Sequence, residues 1–272
     1  MEAMGNPTRS GDVLIAPRVL DTAKSVLPEQ MNSDRSEPAE IYKLFRAVNA
    51  ASTGLFDGQT GGRLLLVSAL DERASKLVLA ANIAGYATLK IVVDGEAGRQ
   101  GIRAGVCDFL VNSLDEALRI LKNEIRKKQA VSVCLPGDRE AIVAEIVERG
   151  LQPDLLDTAV AALVKRGAVV LRGSQDLHGE PGVIWTVESE PARWLPQLDA
   201  LAIAALAGET AGGLDDPRIR WLRLAPRYLR RALSGHRYVG MIEKEADRFE
   251  ATVQERIASD DLPDHVRILR AQ

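Results

Sequence analysis

Aromatic residues make up only 4% of this 272-residue chain, too few for the stacked side-chain platforms that hold single-stranded nucleic acid. An excess of charge of one sign is also missing. Lysines and arginines number 35 against 38 acids, so bulk electrostatics favours neither nucleic acid nor an anionic membrane as partner. No apolar run reaches membrane-spanning length, and the opening MEAMGNPTRSGD lacks the apolar stretch of a signal peptide; a cytoplasmic location is expected. His178, His236 and His265 are too far apart in sequence for metal-ligand spacing, and no metal is expected. Cys107 and Cys134 lie in or beside apolar strand-like segments. That placement predicts buried, reduced thiols rather than a disulfide or a nucleophile.

What is present is an alternation. Leu64–Val67, Leu89–Val93, Cys107–Val111 and Val131–Leu135 are short apolar runs, with LQPDLL at 151–156 a fifth strand candidate. Helical stretches separate them: Ala74–Gly85, Glu96–Ala104, a segment from Ser113 to Lys128 that opens with a Ser113/Glu116 capping box, and Asp138–Arg149. Uninterrupted apolar strands joined by helices predict a parallel sheet covered on both faces, and the right-handed crossover rule makes it doubly wound. The fold class is therefore α/β, Rossmann-like, with a smaller mixed α+β C-terminal region.

Three segments are expected. Residues 1–37, rich in Pro, Ser, Asn and charge, form an arm; residues 38–165 form the α/β domain, opened by a helix over 39–52; residues 166–272 form the C-terminal region. In the last, Ala168–Leu171 and Val183–Val187 read as a hairpin around GSQDLHGEPG. A helix near Leu198–Ala207 and the loop GETAGGLDDP follow, then a long helix near Met241–Ile257 and a final strand at Val266–Leu269. Between them, residues 218–237 hold seven arginines. An amphipathic helix with Leu222, Leu224, Leu229 and Leu233 inward accounts for them best, with pairing to Glu243, Glu245, Asp247 and Glu250; an interaction surface comes second.

The first strand-to-helix turn, Ser68-Ala69-Leu70-Asp71-Glu72-Arg73-Ala74-Ser75, carries no glycine and two adjacent acids. Acids at a helix N-terminus cap free N–H groups and favour the helix dipole. If a small-molecule crevice survives, it lies at the carboxyl ends of the strands. The candidates there are Ser68, Asp71, Arg73, Ser75, Asp94, Gly137 and Asp138.

Residues 41–154 resemble urocanase, the enzyme that hydrates urocanate in histidine breakdown with tightly bound NAD as electrophile. The resemblance rests on Ile41-Tyr42-Lys43-Leu44-Phe45, on AANIAG at 80–85, on NSLDEAL at 112–118, and above all on SVCLPGDREAIVAEIVERGLQPDLL at 132–156. Weaker echoes flank it in the family's order, Ala16-Pro17-Arg18 before and Leu262-Pro263 with Arg267-Ile268 after.

The departures are as informative. The family's glycine loop, GLGGMGG, falls on Ala69–Ser75, where every glycine is replaced. Bare backbone there lets N–H groups reach a pyrophosphate. A carboxylate about 4 Å from a phosphate charge costs roughly 4 kcal/mol at an intermediate dielectric. Two such groups would erase a micromolar affinity, worth about 8 kcal/mol. The family's ribose-binding acid falls on Val92, two residues before Asp94, and its cofactor-contacting segment after Pro153-Asp154 becomes Leu155-Leu156-Asp157-Thr158-Ala159-Val160-Ala161.

The resemblance implies a shortened, divergent urocanase-like protein with a degenerate NAD loop, acting in small-molecule binding, regulation or assembly. No cofactor is expected, with NAD as the family alternative. The expected partners are an unidentified small molecule and a second copy or a urocanase-like protein, with no nucleic acid and no membrane. Two alternatives stay open: a urocanate hydratase-like lyase with a rebuilt site, and a receiver-like signalling module suggested by KIVVDGEAGRQGI at 90–102.

Overall fold

The computed structural model describes residues 29–171, 181–208 and 216–271. The helix expected over 39–52 is longer: α1 runs Glu29–Phe56, starting inside the segment read as an arm. Val13-Leu14-Ile15, the arm's one apolar run, lies outside the described residues. The alternation then follows as β1 (Leu64–Val67), α2 (Glu72–Ala84), β2 (Ala87–Val92), α3 (Gly95–Arg103), β3 (Phe109–Leu110) and α4 (Leu114–Arg126). It continues through β4 (Val131–Pro136), α5 (Arg139–Glu148), β5 (Leu155–Leu156), α6 (Ala161–Lys165) and β6 (Val169–Val170).

Four successive helices start by one device. Asp71, Ser113, Asp94 and Asp138 leave the strand ends in extended backbone, and each side chain accepts from the N–H three residues on. Gly85 closes α2 at φ 103°, a left-handed conformation that glycine adopts without penalty.

All six strands are parallel, in the order β3-β4-β2-β1-β5-β6. Alternate side chains of β2 point to opposite faces, and all six residues are buried. Ala87, Leu89 and Ile91 pack with Leu114 and Leu121 of α4, Ile142 and Ile146 of α5, and Leu163 of α6. The other face packs against α1 and α2 through Phe45, Val48, Leu77 and Val78. The sheet is thus doubly wound and Rossmann-like. From β1 the chain steps one way to β2 and later crosses back to place β5 on β1's other side, so the direction reverses between β1 and β5. Receiver modules order their strands 2-1-3-4-5; this order differs, and the receiver-like alternative falls.

The C-terminal region adds β7 (Gly182–Val187), α7 (Pro191–Ala207), α8 (Pro217–Leu229), a short 3-10 helix (Arg230–Leu233), β8 (His236–Gly240), α9 (Glu243–Ala258) and β9 (Val266–Ala271). β7 is central in an antiparallel sheet ordered β8-β7-β9. The expected hairpin is therefore corrected. Val169–Val170 extends the large sheet beside β5, while Gly182–Val187 belongs to the small one. The reason is that α6 leads β6 back parallel to β5, completing one more crossover. The polar tip 172–180 and most of GETAGGLDDP lie outside the described residues.

The two sheets share one apolar core. Tyr42 of α1 meets Trp221 of α8 edge-on at 5.0 Å and Tyr238 of β8 at 5.2 Å. Within the small sheet, Trp185 donates its indole N–H to Asp199, and Arg237 pairs with the same carboxylate at 3.0 Å. Both charged partners are nearly buried. Desolvation raises the Asp199 pKa, against the lowering pull of Arg237.

The reduced-thiol expectation is also overturned: Cys107 and Cys134 form a disulfide. Because β3 pairs with β4, Leu110 lies opposite Cys134, and the Cα atoms of the two cysteines stand 6.2 Å apart, within bonding reach.

Candidate functional site

In an open α/β sheet the natural crevice lies at the strand carboxyl ends, where the winding direction reverses. Here that places it beyond β1 and β5, in the turn Ser68–Asp71 and beside Asp157. A narrow cleft of about 140 Å³ lies there, bounded by Leu44 and Ala47 of α1, Ala69, Arg73, Leu77 and Thr158 among others. α1 is tied across it, since Lys76 of α2 reaches Glu40 at 2.6 Å and Glu72 at 2.9 Å. These two carboxylates raise the Lys76 pKa.

The turn's hydrogen bonds end within the chain. Asp157, the residue after β5, accepts from the backbone N–H of Ser68 at 2.9 Å and of Ala69 at 2.7 Å, and from the Ser68 hydroxyl at 3.3 Å. Asp71 accepts from the N–H of Ala74 at 2.8 Å. In a phosphate-binding turn these are the donors that would face the ligand; in this chain carboxylates hold them. Ser68 itself is fully buried.

Asp71 and Arg73 therefore line this crevice, exposed along its rim, while Ser68 lies buried behind it on Asp157. Ser75 points elsewhere, accepting from Nζ of Lys90 at 2.6 Å. Asp94 and Asp138 cap α3 and α5, at the carboxyl ends of β2 and β4. Gly137 adopts φ 147° with its N–H on the Val92 carbonyl, and a Cβ there would press Ile142 at 3.2 Å. These three line a neighbouring stretch of the sheet's carboxyl end and do not border the cleft.

Sequence reasoning missed Asp157 as the crevice's central acid, along with Thr158, Leu171 and Lys90. The signal for Asp157 was its place directly after the fifth apolar run. For Lys90 it was an amine inside the apolar strand ATLKIV. Lys90 is 8% exposed; burial lowers its pKa, while the charge of Asp71 opposes that shift. Among the described residues no group of three or more His, Cys, Asp or Glu is placed to hold a metal, and no helix is long and apolar enough to cross a membrane.

Residues 42–164 match the family model described as the urocanase Rossmann-like domain. The chain thus carries a stretch similar to that domain. The match begins at Tyr42, which packs α1 into the core, and ends within α6. It thus contains the β1–α2 turn, Lys90, Asp94, Gly137 and Asp157. Within it, Asp157 closes on the β1–α2 turn by accepting from the N–H groups of Ser68 and Ala69.

Proposed function

We propose that this urocanase-related protein does not seat NAD at the β1–α2 turn and does not hydrate urocanate by the family's NAD-dependent route. It works instead through binding, in a regulatory or assembly role. The observation that carries this reading is the Asp157 clasp. A pyrophosphate arriving at Ser68 and Ala69 must displace a carboxylate that already accepts three hydrogen bonds there. It must then sit beside Asp71 as well, so both desolvation and charge oppose it. Size agrees: cofactor and drug-sized sites occupy roughly 300–1,000 Å³, well above the cleft's 140 Å³. The residues present do not fit a dinucleotide.

The test is isothermal titration of the purified chain with NAD, run beside a urocanate-disappearance assay and mass spectrometry of anything released on denaturation. No heat of binding, no turnover and no released nicotinamide compound are expected. Tight NAD in the purified protein would overturn the proposal.

One observation favours a second reading, a lyase with a rebuilt site. Lys90 and Ser75 form a 2.6 Å pair in which burial favours the neutral amine, an arrangement suited to moving a proton. Turnover of a urocanate-like acid that vanishes in Lys90→Met would establish it. Absence of turnover across such acids would remove it.

A further inference from the structure

We propose that the amino end of the large sheet, at its β3 edge, is a docking groove for an extended acidic segment of a partner protein. The groove, about 1280 Å³, passes between α4, the start of β3 and the end of α8. Arg119, Lys122 and Arg126 of α4 form one wall, and Arg227 and Arg230 stand on the other. Among the described residues, none of these five has a carboxylate within ion-pair distance. Two acids also border the groove, and both are committed. Asp108 accepts from the backbone and hydroxyl of Ser132. Glu124 accepts from Lys127 and Asn123.

This concentration of positive charge sits on a chain whose net charge is −3. Three other arginines of the same segment show the contrast. Arg218 pairs with Glu245 and Asp216, Arg220 holds Thr60 and the Ala84 carbonyl, and Arg237 is buried on Asp199. Arg230 is further set apart by its backbone, held at φ 39°, a conformation non-glycine residues keep only where surroundings impose it.

Three features choose the occupant. The groove is larger than a single small anion needs. Among the described residues β3 has β4 as its one strand neighbour, which leaves an edge onto which an extended peptide can add backbone hydrogen bonds. Phe109 and Ile102 lie exposed beside that edge and would receive the apolar side chains of an alternating segment, while arginine forks take its carboxylates in pairs. Nucleic acid fits less well, because the negative whole-chain charge opposes its long-range approach.

The test uses the intact chain and a fluorescent peptide of about twelve residues alternating Glu and Val, read by anisotropy, with a Gln–Val peptide as control. Saturable binding of the acidic peptide alone is expected, weakening about tenfold between roughly 50 and 300 mM salt. The double substitutions Arg227→Glu with Arg230→Glu, and separately Lys122→Glu with Arg126→Glu, should each weaken it at least about tenfold. Lys244→Glu, on α9, should leave it unchanged. Circular dichroism confirms that each variant is folded. The proposal is overturned by no binding at about 1 mM peptide, or by binding that survives both charge reversals. Duplex DNA or ATP binding more tightly than the peptide would also overturn it, as would self-association in sedimentation that the same reversals abolish.

Discussion

The two ends of the large sheet handle polar groups in opposite ways. At the carboxyl end several donors exposed by the strand-to-helix turns have been given a partner from the same chain. Asp157 holds Ser68 and Ala69, while Asp71, Asp94, Ser113 and Asp138 cap their own helices. Lys76 is held twice. At the β3 edge of the amino end, five cations line a groove with no carboxylate partner among the described residues, Arg126 reaching the Asn123 amide and Arg227 the Tyr228 ring. Buried or crowded polar groups are nearly always satisfied in folded proteins. On the proposed reading, the carboxyl end serves as structure and the groove as the surface that meets another molecule.

The most direct way to break this contrast is Asp157→Ala. It strands two backbone N–H groups and the fully buried Ser68 hydroxyl at once. Each abandoned donor costs on the order of 1–3 kcal/mol, less whatever water can restore, so a loss of about 3 kcal/mol is expected in urea unfolding. A loss below about 1 kcal/mol would mean that the clasp does not close this end. The same variant should gain stabilisation by inorganic phosphate relative to the parent, since it frees N–H groups beside a helix N-terminus.

Lys90→Met comes next. Burial holds the Lys90 pKa below its ordinary 10.5, so between the lowered value and 10.5 the unfolded chain binds more protons than the folded one. This group's contribution therefore improves as pH rises through that window, and its charged form is a cost below it. Methionine removes the cost and keeps the volume. Stability near neutral pH should rise by about 1 kcal/mol, and its dependence on alkaline pH should flatten. A drop instead would show that the Ser75 hydrogen bond and the Asp71 attraction outweigh burial. Asp71→Ala is of similar size and opposite sign, about 1 kcal/mol lost with the α2 cap.

The sequence revealed whatever is local. The continuous apolar runs of β1, β2 and β4, the Asp71, Ser113 and Asp138 caps and the Gly85 stop all depend on neighbours within a few residues, and each was legible. Pairing across the fold was not. Val169–Val170 and Gly182–Val187 look like the two arms of a hairpin, yet they enter different sheets because α6 had already set a parallel crossover. Cys107 and Cys134 meet because β3 lies beside β4, which no spacing announces. Asp157 was visible as a departure from a family segment, but not as the partner of a turn nearly ninety residues earlier. The arginine segment was read as one amphipathic helix, which holds only for Pro217–Leu229: the chain then turns through a short 3-10 helix into β8, where Arg237 is buried on Asp199 rather than facing outward. One of its expected acidic partners, Glu245, does take an arginine from it, Arg218, while Asp247 and Glu250 pair with Arg270 of β9.

The smallest expected effect sharpens the contrast most. Arg227→Ala and Lys122→Ala remove side chains that are exposed and make no ion pair among the described residues. Repulsion between the groove cations is offset by the pull of Lys122 on Asp115 and by Arg227 lying over the Tyr228 ring, so each change should move stability by no more than about 0.5 kcal/mol in either direction. Low salt should enlarge the shift, because screening is weakest there. The comparison between ends would then read directly from one denaturation series. Asp157 substitutions would cost several-fold more than any groove substitution, while groove substitutions alone would change binding of the acidic peptide. If Arg227→Ala destabilised the chain as much as Asp157→Ala, the groove would be a structural element like the turn, and the two ends would no longer differ in kind.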